Sequence, residues 1–224
     1  MRIFDAAQTA AALEWKPLID ALREQFASEC VMPLRHHHSF EIPDEPDGTL
    51  LLMPAWQVGG YLGVKQVCVV PGNSVRSLPA IYGIYILSSA RTGEALALFD
   101  GAELTARRTA AASALAADFL ARPNATRLLI VGAGRLSLNL ALAHSAVRDI
   151  RDIRIWARRR EQAVDVCRAG VAAGLYMMPA EDLRDAAEHA DIISCCTLSQ
   201  KPLIKGNWLK NGTRLRYSFS NRVI

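Results

Sequence analysis

The run Leu128-Leu-Ile-Val-Gly-Ala-Gly134 constrains this chain more strongly than any other feature. An apolar strand that ends in Gly-x-Gly and opens onto a helix is how a doubly wound sheet presents backbone N–H groups to a pyrophosphate. Gly132 permits the tight turn, Gly134 lets the backbone approach phosphate, and Ser137 stands in place of the third glycine. An ordinary strand–helix turn is the competing interpretation. The strand, the helix and the next strand all fall where the pattern requires, which favours a nucleotide site.

Strand and helix patterns on either side of this run predict two domains. Before it, an antiparallel or mixed sheet is predicted from strand candidates at residues 49–53, 61–70, 80–87 and 95–99. An alanine-rich helix over about residues 105–120 follows, and Pro123-Asn124 marks a linker. After the linker, strands and helices alternate, which is typical of a parallel sheet with right-handed crossovers. We predict an α+β domain over residues 1–122 and a Rossmann-type α/β domain over residues 123–224.

Composition limits the classes to which the chain can belong. Hydrophobic residues make up 51% of it and its net charge is +4, which fits a globular core and argues against a nucleic-acid partner. No stretch approaches the roughly 18 apolar residues of a membrane span, and the N-terminus lacks the apolar core of a signal peptide. The five cysteines include no Cys-x-x-Cys, which predicts reduced thiols and a cytoplasmic location.

Three consecutive histidines, His36 to His38, invite a metal interpretation. Consecutive side chains cannot all face one ion in regular structure, and no cysteine or acid lies at ligand spacing beside them. We therefore interpret these histidines as part of a polar loop and expect no metal.

The second strand of the predicted Rossmann domain indicates which cofactor would bind. It reads Ile153-Arg-Ile-Trp-Ala157 and is followed by Arg158-Arg-Arg160, where an acid would hold a free ribose 2′-hydroxyl. An arginine at this place can bind a 2′-phosphate, so NADP is favoured over NAD. A solvated basic helix start is the alternative.

Two arginines stand at the start of the alanine-rich helix, where the helix dipole disfavours positive charge. Helical spacing places Arg108 on an inward face with Leu115 and Phe119, and Arg107 on the outward face. An inward arginine there would bind a carboxylate or a phosphate, or form a buried ion pair, and the two alternatives weigh equally.

Lys65 raises the same question, because strand alternation places it on one face with Val67 and Val69. A lysine among apolar side chains is desolvated or paired and suits catalysis, whereas an edge-strand lysine that prevents aggregation is the common alternative. Arg35, in a loop after Met32-Pro-Leu, could reach the same cleft.

Taken together, these segments resemble the ornithine cyclodeaminase/mu-crystallin family. The matching segments are Met32–Arg35, Leu52–Ala55, Gly63–Lys65, Leu104–Ala114, Ile130–Gly134, Ile155–Arg158, Ala190–Thr197, Pro202-Leu203 and Trp208-Leu209. The Leu-Thr-Ala-Arg-Arg-Thr segment is specific, because few families place it just upstream of a Rossmann loop.

The resemblance implies a homodimer built on the N-terminal domain, and hydride transfer between NAD or NADP and the α-carbon of a small amino or cyclic imino acid. Family members include cyclodeaminases, alanine dehydrogenases and ketimine reductases. It also implies that Arg35, Lys65 and Arg108 grip the substrate carboxylate, with Lys65 taking part in proton transfer. The cofactor-binding residues that it implies are Arg108, Gly132, Gly134, Arg135, Leu136, Arg158 and Thr197.

The end of the sequence departs from the family pattern. Cyclodeaminases carry a glycine-rich loop with a catalytic aspartate soon after the Trp-Leu-x-x-Gly-Thr segment, whereas residues 212–224 contain no Gly-Gly-Asp. We therefore expect a Rossmann sheet that is incomplete at its C-terminal end, reduced stability and impaired catalysis. A non-catalytic NADP(H)-binding protein of the crystallin type, or an inactive truncated remnant, is the alternative function.

Overall fold

A computed structural model describes residues 1–197, 199 and 201–217 of the chain. These residues group into two compact units, one formed by Met1–Glu14 with Glu24–Thr105 and the other by Trp15–Arg23 with Ala106 onward. The predicted domain boundary at residues 122–123 differs from this grouping, which divides the alanine-rich helix after Thr105. Most of that helix groups with the second unit because Ala110, Ala111 and Ala114 are fully buried in its core.

The first unit is built on a six-stranded mixed sheet. Its spatial order is β1-β6-β5-β4-β3-β2, in which β1 is parallel to β6 and all other neighbours are antiparallel. The strands are β1 (Arg2–Phe4), β2 (His36–Phe40), β3 (Gly48–Trp56), β4 (Tyr61–Val69), β5 (Ile81–Ser89) and β6 (Ala95–Asp100). Strands β3 to β6 confirm the four predicted candidates.

Helix α1 (Ala6–Ala12) follows β1 and begins at a capping box, in which Asp5 and Gln8 each accept a hydrogen bond from the other's backbone N–H.

Strand β2 corrects the prediction of a polar loop at His36–His38. The three histidines pair in register with Leu52, Leu51 and Leu50 of β3. Every residue of β2 is exposed, so the segment lacks the alternation of apolar and polar residues from which a strand is recognised. The backbone of β2 forms hydrogen bonds with the backbone of β3, and these bonds do not depend on the side chains.

The second unit contains a five-stranded parallel sheet with the order β11-β10-β7-β8-β9. Its strands are β7 (Arg127–Val131), β8 (Asp152–Trp156), β9 (Met177–Pro179), β10 (Ile192–Cys195) and β11 (Arg214–Tyr217). Its crossover helices are α4 (Arg135–Ser145), α5 (Arg160–Ala172) and α6 (Leu183–His189). This order confirms the predicted Rossmann-type doubly wound sheet. Residues 218–224, after β11, lie outside the described part of the chain.

Strand β7 is covered on both faces, as a central parallel strand requires. Leu128 and Ile130 pack into one apolar cluster with α3 (Gly101–Leu120), α4 and α5. Leu129 and Val131 pack into another with α6 and β10. Both clusters exclude water from the centre of the sheet, and this rigid centre carries the glycine loop.

Two helices have residues in both units. Helix α2 (Trp15–Ala27) contains Pro17 in its first turn, where a proline removes no intrahelical hydrogen bond. Helix α3 (Gly101–Leu120) ends where Arg148 donates hydrogen bonds to three carbonyls, those of Asp118 (3.2 Å), Ala121 (3.0 Å) and Arg122 (2.8 Å). One guanidinium thus takes the place of a local C-cap for α3.

Asp191, just before β10, is a buried carboxylate that joins the linker to the sheet. It accepts hydrogen bonds from the guanidinium groups of Arg122 (2.6 Å) and Arg127 (3.0 Å) and from the backbone N–H groups of Thr126 and Arg127 (both 3.1 Å). Burial raises the pKa of Asp191, but the bonds from Arg127 and the backbone outweigh it and lower the pKa to about 2. This carboxylate has a structural role.

No helix of the described residues is both long and apolar enough to cross a bilayer.

Candidate functional site

The glycine loop follows β7 and leads directly into α4. Gly132 has a φ of +125°, a backbone conformation that side chains disfavour, and a Cβ there would lie 2.9 Å from the Cys196 sulfur. Gly134 is the N-cap of α4, and no atom lies within 4 Å of the place where its Cβ would stand. The first glycine is therefore required by the fold, and the second leaves open space before a helix N-terminus.

Ser137 explains how the loop dispenses with a third glycine. Its side chain is fully buried, and its hydroxyl donates a hydrogen bond of 2.8 Å to the carbonyl of Gly132. The same oxygen lies 3.4 Å from the sulfur of Cys196. The serine thus ties the first turn of α4 to the strand end, where a glycine would only permit close packing.

A cavity of about 420 Å³ opens beside this loop. Its lining consists of Gly132–Gly134, Trp156–Arg159, Gln162, Cys196, Thr197, Ser199 and Leu203. An open helix N-terminus with arginines across the cavity suits the phosphates of a dinucleotide.

The three consecutive arginines after β8 have different environments. Arg158 and Arg159 are exposed and line the cavity, whereas Arg160 forms an ion pair with Glu181. The pairing with Arg160 lowers the pKa of Glu181 through their hydrogen bond. The first two guanidiniums therefore face the cavity, and the third is engaged in a surface ion pair.

The other predicted cofactor residues lie around the same loop. Thr197 follows β10 and lines the cavity, and Arg135 is exposed at the first position of α4. Leu136 is 7% exposed and its side chain packs in the core, so only its backbone N–H group can serve a ligand.

A buried polar chain connects three layers of the second unit and was not anticipated from the sequence. The Ser113 hydroxyl on α3 lies 3.2 Å from His144 Nε2 on α4 and 3.1 Å from the Ser194 hydroxyl on β10. Burial lowers the pKa of His144 to about 3, assisted by the charges of Arg216 and Arg148. The imidazole is therefore neutral at physiological pH and joins helix to helix.

In the first unit, Lys65 lies on β4 and is partly buried. Its cross-strand neighbours are Met53 on β3 and Tyr85 on β5. Arg35 is exposed and immediately precedes His36 of β2. His36 pairs with Leu52 of β3, so Arg35 lies at the end of β2 next to Met53. Two of the predicted carboxylate ligands, Arg35 and Lys65, thus lie on either side of Met53 in the first unit.

The predicted orientation of the two arginines on α3 is wrong. Arg108 is exposed, whereas Arg107 is partly buried with its guanidinium carbon 4.6 Å from the centroid of the Trp15 ring. The buried face of α3 runs through Ala106 and Ala110, and Arg108 lies away from it. Arg107 is accommodated near that face because its charge stacks on an aromatic ring.

Cysteines contribute no reactive thiol at the cavity. Burial raises the pKa of Cys195 to about 12 and that of Cys196 to about 11. Both thiols are therefore protonated at neutral pH and act as small apolar side chains. Among the described residues, no group of three or more histidine, cysteine or acidic side chains could hold a metal.

The parallel sheet, the strained glycine at its centre and the cavity in front of α4 define a Rossmann-type dinucleotide-binding fold. The chain belongs to the ornithine cyclodeaminase/mu-crystallin family, whose sequence model matches residues 3–220.

Two curated relatives show how far the similarity extends. The chain is 45% identical over 214 residues to an uncharacterized protein from Schizosaccharomyces pombe, covering 92% of this chain and 64% of that protein. It is 35% identical over 206 residues to a Δ1-pyrroline-2-carboxylate reductase from Paracoccus denitrificans, covering 91% and 63% respectively. The chain thus spans a little under two thirds of the length of these relatives.

A solved structure agrees with the same fold. The Δ1-pyrroline-2-carboxylate reductase of Thermococcus litoralis, in complex with NADH and L-proline, superimposes with a TM-score of 0.84 at 27% identity. The match covers 97% of this chain and 68% of that one.

Proposed function

We propose that this protein is an NAD(P)-dependent reductase of a small cyclic imino acid. The observation that carries the proposal is the open glycine loop before α4, in a chain 35% identical to a Δ1-pyrroline-2-carboxylate reductase. In such a reaction the carbon–nitrogen double bond gains a hydride at carbon and a proton at nitrogen. A bound reduced nicotinamide supplies the hydride.

The residues of the first unit bind and orient the substrate in this proposal. Lys65 and Arg35 pair with the carboxylate, which a cyclic imino acid carries on the carbon that accepts hydride. The ammonium group of Lys65 also supplies the proton to the ring nitrogen. Arg108 is proposed as a further ligand of an anionic group, either that carboxylate or the cofactor.

The residues of the second unit bind the cofactor. The N-terminus of α4, with Gly132, Gly134 and the backbone N–H of Leu136, receives the pyrophosphate, and Arg135 adds a positive charge there. Thr197 lies along the path of the cofactor. Ser137 holds the loop in shape through its bond to the Gly132 carbonyl, so the site is preorganised.

We further propose that NADP(H) is preferred, because Arg158 and Arg159 face the cavity at the end of β8, where no acid is present to hold a free ribose hydroxyl. Arg158→Ser is expected to weaken NADPH binding about 10-fold or more while leaving NADH binding nearly unchanged. Arg160→Ser is the matched control, because Arg160 is engaged with Glu181. Equal losses for both cofactors in Arg158→Ser would contradict the preference.

The catalytic proposal is tested by following the absorbance of the reduced nicotinamide. NADH and NADPH are each mixed with Δ1-pyrroline-2-carboxylate, and NAD and NADP with proline, ornithine, alanine or lysine. Turnover is expected with the cyclic imino acid, and Lys65→Ala is expected to remove it. Cofactor binding without turnover by any of these compounds would instead support the crystallin-type alternative.

We also propose a cytoplasmic homodimer built on the first unit. The six-stranded sheet of that unit exposes large apolar side chains, among them Tyr82 and Ile84, which share one face of β5. Apolar side chains clustered on one sheet indicate an interaction surface.

A further inference from the structure

Tyr85 on β5 is the cross-strand neighbour of Lys65 on β4. Residues directly opposite in an antiparallel pair share one face of the sheet, with Cβ atoms about 4.5–5.5 Å apart. The phenol of Tyr85 and the ammonium chain of Lys65 therefore leave the sheet side by side. Tyr85 is partly buried.

Gly63 determines where the phenol of Tyr85 lies. A Cβ at Gly63 would overlap the Tyr85 hydroxyl, so the ring extends over this glycine. Gly63 is two residues before Lys65 on the same strand and consequently on the same face. The Gly-Val-Lys segment therefore provides both a cation and the space in which a neighbouring hydroxyl is held.

The hydroxyl of Tyr85 is suited to donate a hydrogen bond to an anion. Burial raises its pKa, with a smaller contribution from Cys30, so the group keeps its proton at neutral pH. Among the described residues it has no hydrogen-bond partner. A neutral donor that is fixed beside a lysine can bind the second oxygen of a carboxylate whose first oxygen is paired with the lysine.

We propose that the Tyr85 hydroxyl is a ligand of the substrate carboxylate, acting together with Lys65 and held in place by the absence of a side chain at Gly63. This inference rests on the proposed function. Two donors from adjacent strands fix the plane of the carboxylate, and with it the orientation of the ring that bears it. The ligand class is a small cyclic imino or amino acid with one carboxylate next to its ring nitrogen.

The test is the affinity for L-proline, measured by calorimetry on the whole chain with and without NADH. Tyr85→Phe keeps the ring and removes only the donor, so the dissociation constant is expected to rise about 10-fold or more, as for other hydrogen bonds to a charged group. Tyr176→Phe is the control, because Tyr176 is a 63% exposed tyrosine just before β9 in the second unit, away from Lys65 in sequence and strand. It should bind as the wild type does, and both variants should keep the wild-type thermal midpoint.

Gly63→Ala provides a second variant, because its methyl group must displace the phenol. It is expected to weaken L-proline binding in the same direction as Tyr85→Phe. A wild-type protein that binds L-proline, with Tyr85→Phe binding it equally tightly, overturns the inference and leaves the proposed function standing. A wild-type protein that does not bind L-proline overturns the proposed function, and the assignment of Tyr85 falls with it.

Discussion

The two units of this protein bury their apolar residues to very different extents. In the second unit, Leu129, Ile130 and Val131 of β7 are completely buried. In the first unit, Ala97 is the sole hydrophobic residue of the described part that counts as buried, and Ile84 on the central strand β5 remains 42% exposed. The second sheet thus forms its own core, while the first presents apolar side chains on its surface.

This difference follows from how each sheet is connected. A parallel sheet needs crossover helices, and these cover both of its faces, so its strands become continuous apolar runs. An antiparallel sheet is joined largely by hairpins, which leave its faces to be covered by other elements. We infer that the second unit is stabilised from within, whereas the first depends on what packs against it. Four experiments test that contrast.

The largest effect is expected from Asp191→Asn in the second unit. The change removes the charge that holds Arg122, Arg127 and two backbone N–H groups at the start of β7. Urea unfolding should show a loss of about 3 kcal/mol, near the lower end for breaking a buried pair, because both guanidiniums reach water. Asp149→Asn, which breaks an exposed pair with Arg151, is the control and should cost less than about 1 kcal/mol. Similar losses in the two variants would mean that the second unit does not depend on its interior.

The glycine loop provides the next test. Gly132→Ala should lower the free energy of unfolding by about 1–3 kcal/mol, because alanine must adopt a positive φ against Cys196. Gly134→Ala should leave unfolding nearly unchanged and weaken NADH binding, since its methyl group enters open space in front of α4. Fluorescence titration with NADH and urea unfolding separate the two effects. A Gly134→Ala protein that binds NADH normally would count against a pyrophosphate at this helix.

The buried His144 makes the second unit sensitive to acid. Its pKa is about 3 in the folded protein and 6.5 when unperturbed, so between these pH values only the unfolded chain takes up the proton. Stability from this group is complete above pH 6.5 and decreases as the pH falls, by about 2 kcal/mol at pH 5. His144→Gln should lose correspondingly less between pH 7 and pH 5 in urea unfolding. Identical pH dependence of the two proteins would show that the imidazole is not held neutral.

The smallest effect is expected from Ile84→Lys on the exposed face of β5. If a second copy covers the first unit, a charge there should weaken the dimer about 10-fold, equivalent to about 1.4 kcal/mol. Sedimentation velocity over a range of concentrations measures this change. Val171→Lys is the control, because Val171 is similarly exposed on α5 of the second unit. A wild-type chain that remains monomeric would show that the first sheet is stable without such a cover.

The sequence predicted the second unit better than the first, because its signals are local. The run from Leu128 to Gly134 contains strand, turn and helix start within a few residues. Its continuous apolar residues and its two glycines are therefore sufficient to predict these elements. Strands β1 and β2 were missed because they are short or exposed edge strands, without apolar alternation. The chain of Ser113, His144 and Ser194 could not be seen either, because its members are separated by 31 and 81 residues. Only the fold brings them together.

The site was predictable to a similar degree. Arg158 could be placed at the cavity because it follows a strand whose end is fixed by β7. The orientation of Arg107 and Arg108 was not predictable from helical spacing. Alanines occur on most sides of α3, so the sequence does not show where its buried face ends. The Trp15 ring, which stacks on Arg107 and so favours its partly buried position, is distant in sequence.

The bonds of Arg148 to the end of α3 have a consequence for the order of folding. The guanidinium comes from a residue 26 to 30 positions further along the chain, beyond β7 and α4. The last turn of α3 therefore cannot be completed until the first strand–helix unit of the Rossmann sheet has formed. Its amide protons should exchange with solvent together with those of β7 and α4, as members of one cooperative opening unit.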